Sequence, residues 1–335
     1  MAIKLLIVDD SAFMRRIIVD LVGELEGIEV VGIARNGLDA LEVIPKLLPD
    51  IITLDVEMPK LNGIDTLKQI KKLYDIPVIM LSSISGMDTT IEALQIGAID
   101  FIEKPSDLQA DLNDLKIELD NKIKSSVKKQ STPTAVKNFT PQCITTNNKI
   151  NAVVIGASTG GPKALVYLIS KVPKDLSIPI FIVQHMPKGF TSSFAMRLDK
   201  ESKVKVVEAI DGMKIENGTV YLAPGDFHMT LDNGEISLNM ADKIHGVRPA
   251  VDHLFDSAAK IYGDSLLAII MTGMGRDGAN GMVSVKEHCG YNIAQNEETC
   301  VVYGMPASAV AKGVVNEILS LDDISTNMNK MIRVK

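Results

Sequence analysis

VVIGASTGG (residues 153–161) is an apolar run that breaks into a glycine-rich turn with one serine at its centre. An apolar helix-like segment, PKALVYLIS (162–170), follows it, so the stretch is a strand-turn-helix unit. Such units in series build an α/β domain on a parallel sheet. The turn could cradle a phosphate or raise Ser158 as a nucleophile.

A dinucleotide loop does not fit: Ser158 occupies the second glycine position of GxGxxG, and the next strand ends in Gln184 and His185 without the acidic residue a ribose requires. A P-loop does not fit either, because Pro162 and an apolar helix stand where lysine and then Ser or Thr should follow the glycines. GASTG (156–160) does match GxSxG, in which the serine sits on a tight turn at the sheet edge.

A serine nucleophile needs a base and a carboxylate that sets the base's tautomer. Of five histidines, only His185 directly follows a strongly apolar run, IPIFIVQ (178–184). The run LLAIIM (266–271) leads into TGMGRDGANG (272–281), whose glycines let the chain loop over the edge and present Asp277. Three strands thus bring Ser158, His185 and Asp277 to one edge. For Asp277 a helix cap before GANGMVSV is the plainer alternative. His228, His245 and His253 lack metal-ligand spacing and are expected to be structural.

Upstream, residues 1–120 alternate the runs IKLLIV, IEVVGI, DIITL, PVIML and IDFI with helical periodicity, as in Phe13, Met14, Ile17, Ile18, Leu21 and Val22, and in Leu38, Leu41, Ile44 and Leu48. Five units of this kind predict a five-stranded, doubly wound parallel sheet. Residues 121–148 carry lysines, serines, threonines and two prolines with no acidic residue, and are expected to be a flexible linker. From 149 to 335 strand patterns resume at NAVVIG, IPIFIVQ, SLLAIIMTG and GYNIA, with a hairpin signal around DNG (232–234). The expected fold class is therefore α/β, with two doubly wound domains, the second mostly parallel and carrying an antiparallel hairpin.

The net charge of −7 and the absence of a basic recognition stretch argue against nucleic-acid binding, including a DNA-binding output. Cys143, Cys289 and Cys300 form no CxxC pair, which suits a reducing compartment. No run reaches membrane-spanning length and no heptad seam demands a dimer, so a cytoplasmic monomer, not inserted in a membrane, is expected.

In the first domain Asp9 and Asp10 follow the first run, Asp55 the third, Ser82 ends the fourth and Lys104 follows the fifth. Carboxylates converging at a sheet edge repel unless a hard cation such as Mg²⁺ joins them. The constellation resembles the receiver domain of two-component systems. That resemblance implies that Asp55 is phosphorylated, that Asp9, Asp10, Asp55 and the main-chain carbonyl of Glu57 place Mg²⁺, that Ser82 and Lys104 meet the phosphoryl group, and that the burial of Phe101 reports the state.

In the second domain GASTGG, QHMP (184–187), APGDFH (223–228), RPAVD (248–252), MTGMGRDGANG (271–281) and YGMP (303–306) resemble the chemotaxis protein-glutamate methylesterases. The chain order Ser, His, Asp separates them from the α/β-hydrolases. The resemblance implies a Ser158, His185, Asp277 triad, with Thr159, Gly160 and main chain near Met274 as oxyanion or substrate loop and no cofactor for ester hydrolysis. It further implies methyl-accepting chemoreceptors as substrates, a chemotaxis histidine kinase as phosphoryl donor, and deamidation of receptor glutamines as a second activity. Arg276 stands where the family usually has a small residue. An unphosphorylated receiver covering the Ser158 edge is the expected regulation, and an idle receptor-binding or kinase-binding adaptor is the alternative function.

Overall fold

The computed structural model describes residues 2–83, 86–105, 108–127 and 149–332. The chain divides into two compact units, Met1–Lys129 and Gln130–Lys335, each with its own sheet.

The first unit runs β1 (Ile3–Val8), α1 (Ala12–Gly23), β2 (Ile28–Ala34), α2 (Gly37–Leu47), β3 (Ile51–Asp55), α3 (Gly63–Leu73), β4 (Val78–Ser82), α4 (Met87–Ile96), β5 (Asp100–Glu103) and α5 (Leu108–Val127). Its strands pair in parallel in the order β2-β1-β3-β4-β5. The order reverses at β1, and in such sheets the carboxyl ends on either side of the reversal form the ligand crevice. β3 and β4 are buried throughout, as strands covered on both faces must be. Side chains Ser11, Asn36 and Asn62 accept the orphan N–H groups at the starts of α1, α2 and α3.

Two local readings are corrected here. Phe13 and Leu38 are exposed in the first turns of their helices, and Leu48 lies past α2 in a left-handed cap; Ile18, Val22, Ala40 and Ile44 carry the buried face instead. The linker boundary at 121 also falls inside α5, which continues to Val127. Leu115, Leu119 and Ile123, spaced by four, bury one continuous stripe, and Lys122 is tied to Glu118 (2.6 Å), Asp100 (3.3 Å) and the Phe101 carbonyl. Its lysines resemble linker composition, but one of them is neutralised by two carboxylates and helps hold the helix to β5. The rest of the linker span, from 128, lies outside the described residues.

The second unit has a seven-stranded parallel sheet and a separate hairpin. Its elements are β6 (Ala152–Ala157), α6 (Gly161–Ser170), β7 (Ile180–Gln184), α7 (Phe190–Glu201), β8 (Lys205–Glu208), β9 (Thr219–Leu222), β10 (His228–Asp232), β11 (Glu235–Asn239), α8 (Val251–Tyr262), β12 (Leu266–Ile270), α9 (Ala279–Glu287), β13 (Tyr291–Gln295), α10 (Met305–Ala311), β14 (Glu317–Leu319) and α11 (Leu321–Met331). The order β14-β13-β12-β6-β7-β9-β8 grows in opposite directions from β6, which sets the switch point between β6 and β12.

The DNG signal holds: β10 and β11 pair through Asp232 and Glu235, with Asn233 and Gly234 both at positive φ as a two-residue hairpin turn requires. Upstream of it TVYL (219–222) joins the main sheet as β9, beside β7. The edge strands β8 and β14 escaped the sequence reading, being only 4 and 3 residues long with charged, partly exposed positions.

Candidate functional site

Register brings the second site together. β6 pairs with β7 at Ala157 and Gln184, and with β12 at Gly156 and Ile270. One or two residues further on, Ser158, His185 and Thr272 stand side by side past the strand ends. Ser158 N donates to the Thr272 carbonyl (3.0 Å) and His185 N to the Ala157 carbonyl (3.2 Å). The turn then reverses through Gly160 at φ +77°, a region that disfavours a side chain, and starts α6 with Pro162 in its first turn.

The Ser158 carbonyl is held from two directions, by Gly161 N (2.7 Å) and by the buried Gln184 amide (3.0 Å), whose second hydrogen goes to the His185 carbonyl (3.1 Å). Gly273 allows the loop after β12 to lie directly on this turn: a Cβ there would come within 2.8 Å of Ser158 Cβ.

His185 and Asp277 are brought together. Nε2 of His185 lies 2.8 Å from Asp277 Oδ2, with the carboxylate only 2% exposed. The same carboxylate accepts Val251 N (2.6 Å) and Asp252 N (3.0 Å), the first two N–H groups of α8, and Gly278 N (2.9 Å). Asp277 is thus a cap, but of α8 and not of the helix that follows it in sequence. Burial pushes its pKa up, yet the His185 hydrogen bond and charge, with the two α8 N–H groups, outweigh burial and hold the carboxylate below its ordinary range. In turn Asp252 accepts Gly281 N (2.7 Å) in the first turn of α9, so the two helices cap each other's starts through exchanged aspartates.

Among the described residues Ser158 Oγ and His185 share no hydrogen bond, and His185 Nδ1 has no partner. Gly160 N and Met274 N likewise donate to no described group. Thr159 is buried, and its carbonyl accepts Thr272 Oγ1 (2.8 Å). Arg276 is exposed and directs Nε to His245 Nδ1 (3.3 Å). His228 is fully buried; Nδ1 accepts Ala250 N (3.1 Å), which leaves the proton on Nε2 for the Asp242 carbonyl (3.1 Å), and burial keeps its pKa below the imidazole range.

In the first unit, carboxylate oxygens of Asp9, Asp10 and Asp55 all lie within 4.8 Å of one another. Lys104 Nζ sits between Asp55 Oδ2 (2.7 Å) and Asp9 Oδ2 (2.8 Å). Asp9 is fully buried, and Lys104 is its cationic partner. Burial pushes Asp55 up to about 6, opposed by the Lys104 hydrogen bond and reinforced by Asp9. Glu57 N donates to Asp55 Oδ1 (3.3 Å). Ser82 is buried with its hydroxyl on the Ser83 carbonyl (3.0 Å) and 2.5 Å from Thr90 Oγ1; no described hydrogen bond joins it to Asp55. Phe101 is buried, with the Lys122 ammonium 5.4 Å from its ring centre.

The family model for CheB methylesterase matches residues 153–328, and that for the response regulator receiver domain matches residues 5–115. The chain belongs to the CheB methylesterase family. A family relative from Pyrococcus horikoshii, named protein-glutamate methylesterase/protein-glutamine glutaminase, is 44% identical, covering 99% of this chain and 94% of that protein. One of the same name from Clostridium acetobutylicum is 46% identical, covering 99% and 98%. The crystal structure of the Thermotoga maritima CheB methylesterase catalytic domain covers 55% of this chain and all of that chain, at 46% identity and TM-score 0.53.

Within this CheB-family fold, the sequence reading missed Thr272, the Gln184 amide and the start of α8 as parts of the site. Thr272 and Gln184 lie inside motifs already noticed, MTGMGRDGANG and QHMP, but only the register shows what they hold. Cys300 lies beside Thr272. Burial pushes its thiol up to about 12, against the pull of the Thr272 hydroxyl and with an addition from Glu297. At pH 8 in the folded protein iodoacetamide should modify the exposed Cys289 long before Cys300, as peptide mass spectrometry would read; equal rates before denaturant is added would contradict this burial.

Proposed function

We propose that the chain is a protein-glutamate methylesterase and protein-glutamine glutaminase acting on chemoreceptors, with Ser158 as nucleophile and output set by phosphorylation of Asp55. The observation that carries it is the His185 to Asp277 pair, 2.8 Å apart, at the edge where β7, β6 and β12 end side by side and where Ser158 tops the glycine turn. Asp277 on Nε2 selects the tautomer whose lone pair is on Nδ1, which faces no described partner and is the base nitrogen. In substrate-free enzymes the bond from nucleophile to base is often open and closes when substrate binds.

Ser158 Oγ bonds to the ester carbonyl carbon as its proton moves to His185. The oxyanion is met by N–H groups of the Thr159 to Gly160 turn and Met274. The carbon-oxygen bond to methoxide breaks, His185 returns the proton, and methanol leaves. Water deprotonated by His185 then cleaves the acyl-enzyme to a glutamate carboxylate. For a glutamine side chain the leaving group is ammonia.

The residues of the first unit fit a Mg²⁺ ion, because oxygens of three carboxylates converge within 4.8 Å of one another at the sheet edge. Asp9, Asp10, Asp55 and the Glu57 carbonyl would hold it, and it would supply positive charge to the phosphoryl oxygens. The Asp55 carboxylate accepts the phosphoryl group from a chemotaxis histidine kinase, Lys104 neutralises it, and Ser82 turns from Thr90 to hydrogen-bond it. The buried state of Phe101 follows that turn. The working form is a cytoplasmic monomer without nucleic acid. No helix among the described residues is long and apolar enough to cross a membrane.

Incubated with methylated receptor membranes, the chain should release methanol, and a small phosphoryl donor with Mg²⁺ should raise the rate. Asp55→Asn should abolish the donor's effect. Silence of the wild type under every condition would leave an adaptor as the function.

A further inference from the structure

Thr272 is 1% exposed, and its hydroxyl is held by close partners on both sides. Oγ1 donates to the Thr159 carbonyl (2.8 Å) and accepts Val301 N and Val302 N (both 3.1 Å). Its main chain accepts Ser158 N (3.0 Å) and donates to Gln295 Oε1 (2.9 Å), whose amide reaches the Thr299 carbonyl (2.8 Å). One side chain therefore joins the serine turn to the loop at 301–302.

A trans peptide carries its C=O and N–H on opposite sides. Holding the Thr159 oxygen toward Thr272 therefore turns the Gly160 N–H the other way, and this N–H has no acceptor among the described residues. The same hydroxyl sets Val301 against Gly160, so closely that a Cβ on Gly160 would lie 2.6 Å from Val301 Cβ. The peptide plane is thus fixed by a hydrogen bond on one side and by packing on the other.

We infer that Thr272 is a positioning residue for the oxyanion hole: its hydroxyl fixes the Thr159 to Gly160 peptide so that the Gly160 N–H is already aimed at the charge that develops beside Ser158. This rests on Ser158 being the nucleophile. A donor that is preorganised acts on the transition state and hardly on ground-state binding. Loss of the hydroxyl therefore lowers kcat and leaves KM, and it leaves the titration of the His185 to Asp277 pair, which Thr272 does not touch.

The test uses the full chain as wild type, Thr272→Val, Thr272→Ser and Ser158→Ala. It measures methanol release from methylated receptor membranes across pH and the second-order rate at which an aryl fluorophosphonate modifies Ser158. For Thr272→Val, kcat and the labelling rate should fall about 10- to 100-fold with KM within about twofold and the pH midpoint unmoved, and Thr272→Ser should recover to within about threefold of wild type. Thr272→Val with kcat within about twofold of wild type, or a loss confined to KM, overturns the inference while the triad stands. Continued methanol release by Ser158→Ala overturns the triad itself. If thermal melts show Thr272→Val unfolded, Thr272→Cys keeps the volume with a weaker donor. Its kcat should then fall in the same way, and a wild-type kcat overturns the inference.

Discussion

The Ser158→Ala protein should melt with the wild type and lose methanol release by about 10⁴- to 10⁶-fold, the range seen when a triad nucleophile is removed. Folding is spared because every hydrogen bond Ser158 makes among the described residues is through its main chain: N to the Thr272 carbonyl, and its own carbonyl from Gly161 and Gln184. Alanine keeps all three. Its hydroxyl contributes no described bond whose loss would cost stability, so the change should stay within about 0.5 kcal/mol. Residual hydrolysis would come from the oxyanion donors and binding alone. Methanol release, fluorophosphonate labelling and a thermal melt measured together check this, and turnover above about a hundredth of wild type would mean that another group attacks the ester.

Asp277→Asn should damage both catalysis and stability. The asparagine carbonyl can still accept Asp252 N and Gly278 N, but the amide nitrogen would then face Val251 N–H and His185 Nε2, where two bonds are now accepted at 2.6 and 2.8 Å. Donor would meet donor at both. His185 can relieve its side only by moving its proton to Nδ1, the nitrogen proposed as base, so kcat should fall about 10⁴-fold. The unaccepted N–H at the start of α8 and the lost charge at that helix terminus should cost about 2–4 kcal/mol in a denaturant melt. The folded Asp277 has a depressed pKa, so its contribution is complete above the unfolded value of about 3.9 and is lost as pH falls through the folded value. The stability gap between wild type and Asp277→Asn should therefore narrow below about pH 4. A gap that is constant from pH 7 to pH 3 would show that the carboxylate's charge contributes nothing.

The strands that carry the two sites were legible because parallel strands covered on both faces must be continuously apolar, and those of VVIGAS, IPIFIVQ and LLAIIM are. The placing of Ser158 and His185 at strand ends was legible for the same reason, since each closes or directly follows such a run, whereas Asp277 lies six residues past LLAIIM and was read from the glycine loop that carries it. The helix-spanning apolar series were less reliable. Phe13 and Leu38 fit the period of their helices yet face solvent, since a period says which residues share a face and not how far along the helix that face is covered. The end of α5 was misread because lysines were taken for a solvated linker, whereas Glu118 and Asp100 neutralise the half-buried Lys122 ammonium.

By itself, the sequence determined two α/β units, the order along the chain of their apolar inner strands and the residue types at those strand ends, because these follow from local apolar periodicity and turn chemistry. Only the tertiary structure decided which strand lies beside which, and with it that Asp277 caps α8 and not α9, that the Gln184 amide links the Ser158 turn to the His185 strand, and that Thr272 holds the Thr159 carbonyl 113 residues away. Hydrogen bonds across so long a chain separation leave no periodic trace in sequence. They exist because buried N–H and C=O groups at the ends of adjacent parallel strands must find partners, and the register of β7, β6 and β12 puts those partners within reach.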